Sequence, residues 1–335
     1  MIILGIESTC DETAAAVVED GKKILSNIIR SQVDIHKKFG GVFPEVASRN
    51  HLNMIMPVIQ EAMDNAHLSP EDIDAIAIAN GPGLMGSLLI GMNTAKALSL
   101  AWNKPLIGVN HIEAHLYSAM MPEEPVFPAL GVILSGGHTV LVEIADIKSY
   151  KIIGRTIDDA IGEAFDKVAT MLGLGYPGGP AIEAISKQGD PNAYAFAAGK
   201  CSKSPYNFSF SGLKTKVLYT AKGQKAKKED PLLIGLQEIA DIAASFQQAV
   251  YQDVISKIHL ALEKSSYKTL YLGGGVTNSK TLRAWIDKAF DSSIKIFWPP
   301  KDLSMDNAAM IAGLAYHNQK ITFAEPIYTR MPLVK

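Results

Sequence analysis

Cysteine is scarce in this sequence: only two of the 335 residues, Cys10 and Cys201, are cysteines. Two cysteines cannot form a disulfide framework, and such low usage is typical of proteins in a reducing compartment. The sequence has no apolar run of about 18 residues that would predict a transmembrane helix. Its first residues show no basic segment followed by an apolar one, so no signal peptide is visible. Together these absences predict a cytoplasmic protein with no membrane partner.

Two common signatures are also missing. The sequence contains neither the phosphate-binding pattern GxxxxGK[ST] nor the metalloprotease pattern HExxH. The spacing GxGxxG occurs at 81–86 and at 173–178, but alone it does not identify a dinucleotide site. If the protein binds a nucleotide, it therefore does so by another route than a P-loop.

The formal net charge is −2, which is not the charge of a generic nucleic-acid-binding protein. One segment departs from this balance, because positions 200–228 carry eight lysines, four aromatic residues and no acidic residue. These are Lys200, Lys203, Lys214, Lys216, Lys222, Lys225, Lys227 and Lys228, with Tyr206, Phe208, Phe210 and Tyr219. Such a segment can bind RNA phosphates and stack bases, although a solvated surface loop and helix face fits the pattern about as well.

The order of predicted elements indicates an α/β protein of two lobes. A strand, a polar loop and two further strands open the chain near residue 2, and the same order returns near residue 130. We therefore expect two lobes of related topology with a cleft between them. The predicted N-terminal lobe spans residues 1–125, and the C-terminal helix at about 306–335 is a candidate to pack on it. The predicted C-terminal lobe spans residues 126–305, with a helical insertion at about 160–265.

A pair of histidines is the first candidate for a functional site. His111 and His115 are one helical turn apart, so both side chains can face one metal ion. Glu113 lies between them on another helical face, unlike the glutamate of HExxH. Such a pair is often incidental, and a third ligand has to come from elsewhere. Asp306 is the candidate, at the start of a predicted helix, where it could equally be only an N-cap.

Glycine-rich turns after apolar strands form the second group of candidates. They occupy positions 5–11, 134–138 and 272–276, and a fourth backbone-rich loop follows Asp166 at positions 176–180. Glycine lets the backbone approach a ligand closely, and exposed N–H groups bind anions such as phosphate. Each turn is weak evidence alone, but four of them beside a possible metal site predict an enzyme that handles a nucleotide. The two-lobed actin and sugar-kinase type of fold suits this arrangement.

Taken in order, the motifs resemble one family across nearly the whole chain. They read GIESTCDET at 5–13, GVFPEVASR at 41–49, GPGL at 81–84, NHIEAH at 110–115, SGGHT at 135–139, YPGGP at 176–180, FSFSGLK at 208–214 and DNAAMI at 306–311. The sequence is similar to TsaD, the bacterial tRNA N6-adenosine threonylcarbamoyltransferase, formerly labelled an O-sialoglycoprotein endopeptidase. The resemblance implies the actin/sugar-kinase/Hsp70 (ASKHA) fold with duplicated mixed-sheet lobes.

The resemblance also implies an activity. The threonylcarbamoyl group would move from threonylcarbamoyl-AMP to N6 of the adenosine 3′-adjacent to the anticodon, in tRNAs reading codons that begin with adenine. The enzyme would be an acyl or carbamoyl transferase of EC class 2.3.1. Implied partners are the tRNA anticodon stem-loop, a degenerate TsaB-like paralogue and a small TsaE-like P-loop ATPase.

Residue roles follow from the same resemblance. His111, His115 and Asp306 would hold one divalent metal ion, with Fe²⁺ favoured and Zn²⁺ possible. The residues implied in substrate binding are Leu134, Ser135, Gly136, Gly137, His138, Asp166, Gly179, Glu183, Asn278 and Ser279. The family usually reads GGVxAN where this chain reads GGVTNS, so either Asn278 or Ser279 takes the place of the usual asparagine. Glu183 stands where many members carry aspartate.

The chemistry requires a base, because adenine N6 is a poor nucleophile. Asp11 and Glu12 are the candidates, and structural hydrogen bonding within the first hairpin is their alternative role. Two other functions stay open from the sequence. One is a non-catalytic nucleotide-binding scaffold, which would not need a metal triad; the other is a metalloprotease, which would need a general base that the sequence does not place.

Overall fold

A computed structural model describes residues 1–201, 204–227, 230–265, 267–318 and 326–329. The chain divides into two compact units. The first comprises Met1–Phe127, Ile144–Lys151 and the residues from Phe297 onward, and the second comprises Pro128–Glu143 and Ile152–Ile296. No described helix combines the length and apolarity needed to cross a membrane.

A five-stranded mixed sheet forms the centre of the first unit. Its strands are β1 (Ile2–Glu7), β2 (Glu12–Glu19), β3 (Lys23–Ser31), β4 (Ala75–Gly81) and β5 (Leu106–Asn110). The spatial order is β3-β2-β1-β4-β5. The sequence predicts the first three strands as an antiparallel meander, and their antiparallel pairing confirms it. The pairs β1–β4 and β4–β5 are parallel. Parallel pairs need crossover connections, and helices supply them here.

Helices flank this sheet. They are α1 (Val33–His36), α2 (Pro44–Ala66), α3 (Met85–Trp102), α4 (His111–Met120) and, from the end of the chain, α10 (Ala308–His317). Pro44 occupies the first position of α2, where its missing N–H costs no helical hydrogen bond. The sequence predicts helices at about 44–66, 87–101 and 111–121, and the structure confirms α2, α3 and α4 to within about two residues.

Close packing of α10 on the sheet brings the end of the chain to β1. A Cβ built on Gly5 would lie 2.5 Å from the carbonyl oxygen of Ala308 and 2.8 Å from Cβ of Ala312. Only glycine therefore allows this approach. Because α10 also packs on α4, the loop before α10 brings Asp306 to the histidines of α4.

A second five-stranded sheet has the order β10-β9-β6-β7-β8. Its strands are β6 (Ala129–Leu134), β7 (Thr139–Asp146), β8 (Ser149–Arg155), β9 (Thr269–Gly273) and β10 (Lys295–Phe297). The helices of the second unit are α5 (Ile161–Met171), α6 (Gly178–Ser186), α7 (Ser211–Lys222), α8 (Leu236–Glu263) and α9 (Lys280–Ala289). The sequence predicts strands at 130–134, 139–144, 151–155, 269–272 and 294–297 and helices at 162–172, 180–187, 211–220, 235–263 and 279–289. The structure confirms each of them to within about two residues.

Candidate active site

The histidine pair and Asp306 come together in the first unit. One ligand atom from each of His111, His115 and Asp306 lies within 4.8 Å of the other two. Oδ1 of Asp306 is 3.1 Å from Nε2 of His115 and 3.7 Å from Nε2 of His111. Two imidazole nitrogens and a carboxylate oxygen are a donor set that Zn²⁺ and Fe²⁺ both accept.

The surroundings of His115 also fit a metal ligand. Its side chain is fully buried, and within the described chain neither ring nitrogen makes a hydrogen bond. A buried imidazole without a hydrogen-bond partner is costly unless another group, such as a metal ion, satisfies it. The local sequence fixes its position: Oδ1 of Asn110 accepts hydrogen bonds from the N–H groups of Ile112 and Glu113 and so caps α4. Both histidines then occupy the first two turns of a capped helix.

A buried carboxylate stands behind His111. Oε2 of Glu7 is 2.9 Å from Nδ1 of His111, and Oε1 of Glu7 accepts a 2.6 Å hydrogen bond from the N–H of Thr9. Burial disfavours the charged form of His111, but Glu7 and Asp306 outweigh that effect and raise the pKa of His111 to about 9. The surroundings of His111 thus stabilise a positive charge on its ring.

Asp306 is not the cap of the last helix. The N-cap of α10 is Asn307, whose Oδ1 accepts a 3.0 Å hydrogen bond from the N–H of Met310. The alternative that Asp306 is only an N-cap is therefore wrong. Asn307 also donates to the carbonyl groups of Leu303 and Met305, so it fixes the loop on both sides of Asp306. The Asp306 carboxylate instead lies beside the two histidines.

Asp11 ends the turn between β1 and β2, Glu12 is the first residue of β2, and both are largely buried. Burial, reinforced by the neighbouring Asp11 and Asp306 carboxylates, raises the pKa of Glu12 well above its ordinary value. The same causes raise the pKa of the Cys10 thiol. A carboxylate of raised pKa is a stronger base than an ordinary one, as proton abstraction requires.

His51 of α2 stabilises this turn through two hydrogen bonds. Its Nε2 is 2.9 Å from the carbonyl oxygen of Cys10, and its Nδ1 is 2.7 Å from the hydroxyl of Thr13. The carbonyl can only accept, so Nε2 carries the proton and Nδ1 accepts from Thr13. Burial lowers the pKa of His51, which keeps the ring neutral.

In the second unit, the turn between β6 and β7 presents free backbone donors. The carbonyl groups of Ser135 and Gly136 accept hydrogen bonds of 3.2 Å from the N–H groups of Gly162 and Glu163 at the start of α5. A Cβ on Gly162 would lie 2.7 Å from Cα of Gly136, so this contact requires glycine at 162. In the described chain the N–H groups of Gly136 and Gly137 donate no backbone hydrogen bond, and a Cβ built on either residue would meet no atom within 4 Å. Backbone donors of this kind can bind an anion.

The loop after β9, where the sequence predicts further site residues, lies next to this turn. Gly274 has φ +91°, and a Cβ there would lie 2.5 Å from the carbonyl oxygen of Leu134. The loop after β9 therefore abuts the end of β6. Ser135 Oγ accepts a 3.1 Å hydrogen bond from the N–H of His138, which closes the turn.

Asp166 shapes the next loop. Its Oδ1 accepts a 2.7 Å hydrogen bond from the N–H of Gly178, the first residue of α6. Gly179 follows with open space around it. The N-terminus of α6 is thus held against α5, and Gly179 in its first turn is partly exposed.

The structure separates the two candidates at the loop after β9. Ser279 caps α9 by accepting from the N–H of Leu282, donates a 3.1 Å hydrogen bond to Oε1 of Glu183 and accepts one of 3.0 Å from the hydroxyl of Tyr251. The Glu183 Oε1 also accepts from the N–H of Thr281. The Ser279 hydroxyl is therefore occupied by hydrogen bonds within the protein. Asn278 is half-buried, and its side chain makes no hydrogen bond to the described residues.

The basic segment at 200–228 is only partly a surface patch. Phe208 and Phe210 are fully buried and cannot stack on bases, so that part of the prediction is wrong. Lys214 pairs with Asp159, which also binds Lys167. Four lysines and one aromatic residue stay exposed: Lys200, Lys216, Lys225, Lys227 and Tyr219. Lys203 and Lys228 lie outside the described residues.

Sequence reasoning missed Glu7, His51 and Tyr251. Glu7 carries the one visible signal, since it is an acidic residue ending an apolar strand. The roles of His51 and Tyr251 depend on contacts with distant segments, which periodicity does not reveal.

Comparison with known proteins identifies relatives across nearly the full length. Residues 23–313 match the family model "TsaD: tRNA N6-adenosine threonylcarbamoyltransferase". The tRNA N6-adenosine threonylcarbamoyltransferase of Protochlamydia amoebophila (strain UWE25) is 56% identical over 323 residues, covering 96% of this chain and 94% of the relative. The enzyme of the same name from Bacillus subtilis (strain 168) is 48% identical over 317 residues, covering 93% and 89%.

Solved structures support the fold. HypF from T. kodakarensis matches with a TM-score of 0.62 at 15% identity, over 95% of this chain and 47% of HypF. Component A of the (R)-2-hydroxyglutaryl-CoA dehydratase of Acidaminococcus fermentans matches with a TM-score of 0.52 at 16% identity, over 95% and 98%. These neighbours have ASKHA-type folds, and the two mixed five-stranded sheets confirm the predicted fold class.

Proposed function

The chain belongs to the TsaD family of tRNA N6-adenosine threonylcarbamoyltransferases, and on that premise we propose the details of its reaction. The donor is threonylcarbamoyl-AMP, and the acceptor is N6 of the adenosine 3′-adjacent to the anticodon in tRNAs reading codons that begin with adenine. The observation that carries this function is the full-length match to such transferases together with the cluster of His111, His115 and Asp306. Neither the scaffold nor the metalloprotease alternative has comparable support.

The first unit would hold one divalent metal ion through His111, His115 and Asp306. Both Fe²⁺ and Zn²⁺ accept this donor set. Fe²⁺ is our first choice because the family resemblance favours it, and Zn²⁺ is the second. When bound, the ion supplies Lewis-acid polarisation and orientation of donor oxygens. Buried His115 supports the assignment, because its Nε2 lies 3.1 Å from Oδ1 of Asp306 and neither ring nitrogen makes a hydrogen bond within the described chain.

The second unit would bind the nucleotide part of the donor. The free N–H groups of Gly136 and Gly137 suit a phosphate, flanked by Leu134, Ser135 and His138. Gly179, on the loop held by Asp166, offers a further backbone donor at a helix start. We assign the nucleoside contact to Asn278 rather than Ser279, because Ser279 is occupied in capping α9 and binding Glu183. The second carboxylate oxygen of Glu183 would accept a hydrogen bond from a hydroxyl group of threonylcarbamoyl-AMP.

In the transfer step, N6 of adenosine forms a bond to the carbamoyl carbon, the bond from that carbon to the phosphate oxygen breaks, and AMP leaves. The N6 proton passes to a carboxylate. Glu12 is our candidate, because burial raises the pKa of its carboxyl group and so makes it a stronger base than an ordinary carboxylate.

Binding of the tRNA anticodon stem-loop would involve the exposed lysines of the segment at 200–228. Lys200, Lys216, Lys225 and Lys227 can contact phosphates, and Tyr219 is the exposed aromatic residue that could stack on a base. The action on tRNA supports a cytoplasmic location.

A partner of the TsaB-like class would bind the apolar face formed by α2 and α3. Leu52 and Met56 on α2 and Met85 and Leu89 on α3 are exposed, each pair one turn apart, and the two helices pack on each other. A two-helix apolar face fits a pair of partner helices. A small TsaE-like ATPase would complete the assembly.

Complementation tests this function. A Bacillus subtilis strain depleted of its own relative would express this chain, with the B. subtilis enzyme as positive control and His115→Ala as negative control. We expect threonylcarbamoyladenosine in bulk tRNA with the wild-type chain and the control enzyme only. A folded wild-type chain that leaves tRNA unmodified, while the same chain with its own cognate partners co-expressed also fails, would overturn the proposal.

A further inference from the structure

Glu7 is a buried acid for which the transfer reaction has so far given no role. It ends β1, and its side chain is completely inaccessible to solvent. A carboxylate buried to this degree is strongly destabilising unless its oxygens are satisfied. Both are: Oε1 accepts from the N–H of Thr9 at 2.6 Å, and Oε2 lies 2.9 Å from Nδ1 of His111.

These two contacts fix the orientation of the His111 ring. A carboxylate accepts hydrogen bonds, so the proton between Glu7 and His111 sits on Nδ1. The hydroxyl of Thr9, 3.3 Å from the same nitrogen, adds a second polar neighbour on that side. The opposite nitrogen, Nε2, then faces Oδ1 of Asp306 at 3.7 Å, on the ligand side of the cluster.

We propose that Glu7 is a positioning residue for the metal centre: it holds His111 with Nδ1 protonated and Nε2 directed at the ion. This inference rests on the proposed function, which requires a metal ion at the cluster. A ligand histidine whose second nitrogen donates to a carboxylate binds its ion more tightly and in a fixed direction.

The arrangement is asymmetric, which makes the inference specific. Within the described chain, Nδ1 of His115 has no hydrogen-bond partner that could play the same part. Glu7 therefore acts through His111 alone. Together, Glu7 and Asp306 also supply two negative charges around the cluster, which match the charge of one divalent ion.

The first test compares metal binding by the full chain and its Glu7→Gln variant. Zn²⁺ affinity is measured by competition with a chromophoric chelator, and Fe²⁺ affinity is measured anaerobically. We expect Glu7→Gln to bind either ion about 10- to 100-fold more weakly, with unchanged circular dichroism of the metal-free protein. Glu113→Gln is the matched control, since Glu113 is a buried acid on the helix that carries both histidines but is not in the ligand cluster. It should keep wild-type affinity.

A second measurement needs no variant and so does not depend on Glu7→Gln folding. In zinc-loaded wild-type protein labelled with ¹⁵N-histidine, the shifts of His111 should show a protonated Nδ1 and a metal-bound Nε2. Metal bound through Nδ1, or equal affinity of wild type and Glu7→Gln, would overturn the role of Glu7 alone. A wild-type chain with no metal affinity would overturn the metal centre itself, and the role of Glu7 with it.

Discussion

Nε2 of His115 lies 3.1 Å from Oδ1 of Asp306, although one residue belongs to the helix after β5 and the other to the loop before the last helix. The next residue, Asn307, makes the cap that an aspartate at this place would be expected to make. The proposed ligand and the helix cap are therefore two adjacent residues, so substitutions can test the two roles separately.

Replacing the two neighbours should have different effects. Asp306→Ala is expected to lower metal affinity while leaving the stability of the metal-free protein nearly unchanged. Asn307→Ala removes a helix cap and two carbonyl contacts, so the free energy of unfolding should fall by about 1 to 2 kcal/mol. Urea unfolding and chelator competition on both variants check this. If Asp306→Ala costs as much stability as Asn307→Ala and leaves metal affinity intact, the assignment of Asp306 as a ligand is wrong.

A matched pair of glycines tests the anion-binding turn. Gly162 and Gly212 are both the second residue of a helix, but a Cβ at 162 would meet Cα of Gly136 at 2.7 Å whereas the space at 212 is open. We expect Gly162→Ala to displace the turn at 135–138 and to weaken AMP binding at least about tenfold, since a misplaced donor loses its hydrogen bond to phosphate.

Gly212→Ala should leave AMP affinity unchanged and stabilise the protein slightly, since alanine is the better helix former. Calorimetric titration of AMP into each variant is the measurement. Equal affinities in both variants would exclude the turn at 135–138 from the nucleotide site.

The exposed lysines should contribute to tRNA binding through phosphate contacts. Lys216→Ala and Lys225→Ala are each expected to weaken tRNA binding and to reduce the slope of log affinity against log salt by about one. Lys288→Ala, an exposed lysine in the last turn of α9, should change neither quantity. Filter binding at several salt concentrations distinguishes these cases. An unchanged salt slope in the double variant Lys216→Ala/Lys225→Ala would remove this surface from the tRNA site.

His51 predicts a pH dependence of stability. Burial lowers its pKa below the ordinary value of about 6.5, while the carboxylates of Glu7 and Asp11 oppose the shift and His36 adds to it. The unfolded chain then binds a proton at His51 that the folded chain does not. This contribution to stability is complete above about pH 6.5 and is lost as the pH falls below it.

The variant His51→Gln isolates that contribution, because glutamine does not titrate. Between pH 7.5 and 5.5, wild type should lose more free energy of unfolding than the variant, as measured by urea titration at each pH. Equal losses would show that His51 is not held neutral by burial.

Local signals were sufficient for most of the fold. The helix at Pro44–Ala66 could be predicted because its buried residues recur at helical spacing and proline stands at its first position. Strands β2 and β3 could be predicted from apolar runs separated by Asp20-Gly21, where both residues have positive φ. Such features depend on residues that are close in the sequence.

Residues of the candidate site could be predicted only where they belong to a recognised sequence motif. Phe208 and Phe210 were misassigned to a base-stacking surface, because the sequence does not show that their strand-like segment pairs beside Thr156 and is buried. Glu183 and Ser279 meet through tertiary packing, so the choice between Asn278 and Ser279 required the structure. The same holds for Glu7, whose partner His111 lies on another element.

Single-turnover transfer is the most direct test of the central claim. Unmodified tRNA and threonylcarbamoyl-AMP labelled in the threonine are mixed with the metal-loaded protein and its cognate TsaB-like and TsaE-like partners, and the nucleosides are analysed after digestion. Label on adenosine with wild type, and its loss in His115→Ala, is the predicted result. No labelled adenosine from folded, metal-loaded wild type, under conditions in which the Bacillus subtilis enzyme with its own partners is active, would contradict the account.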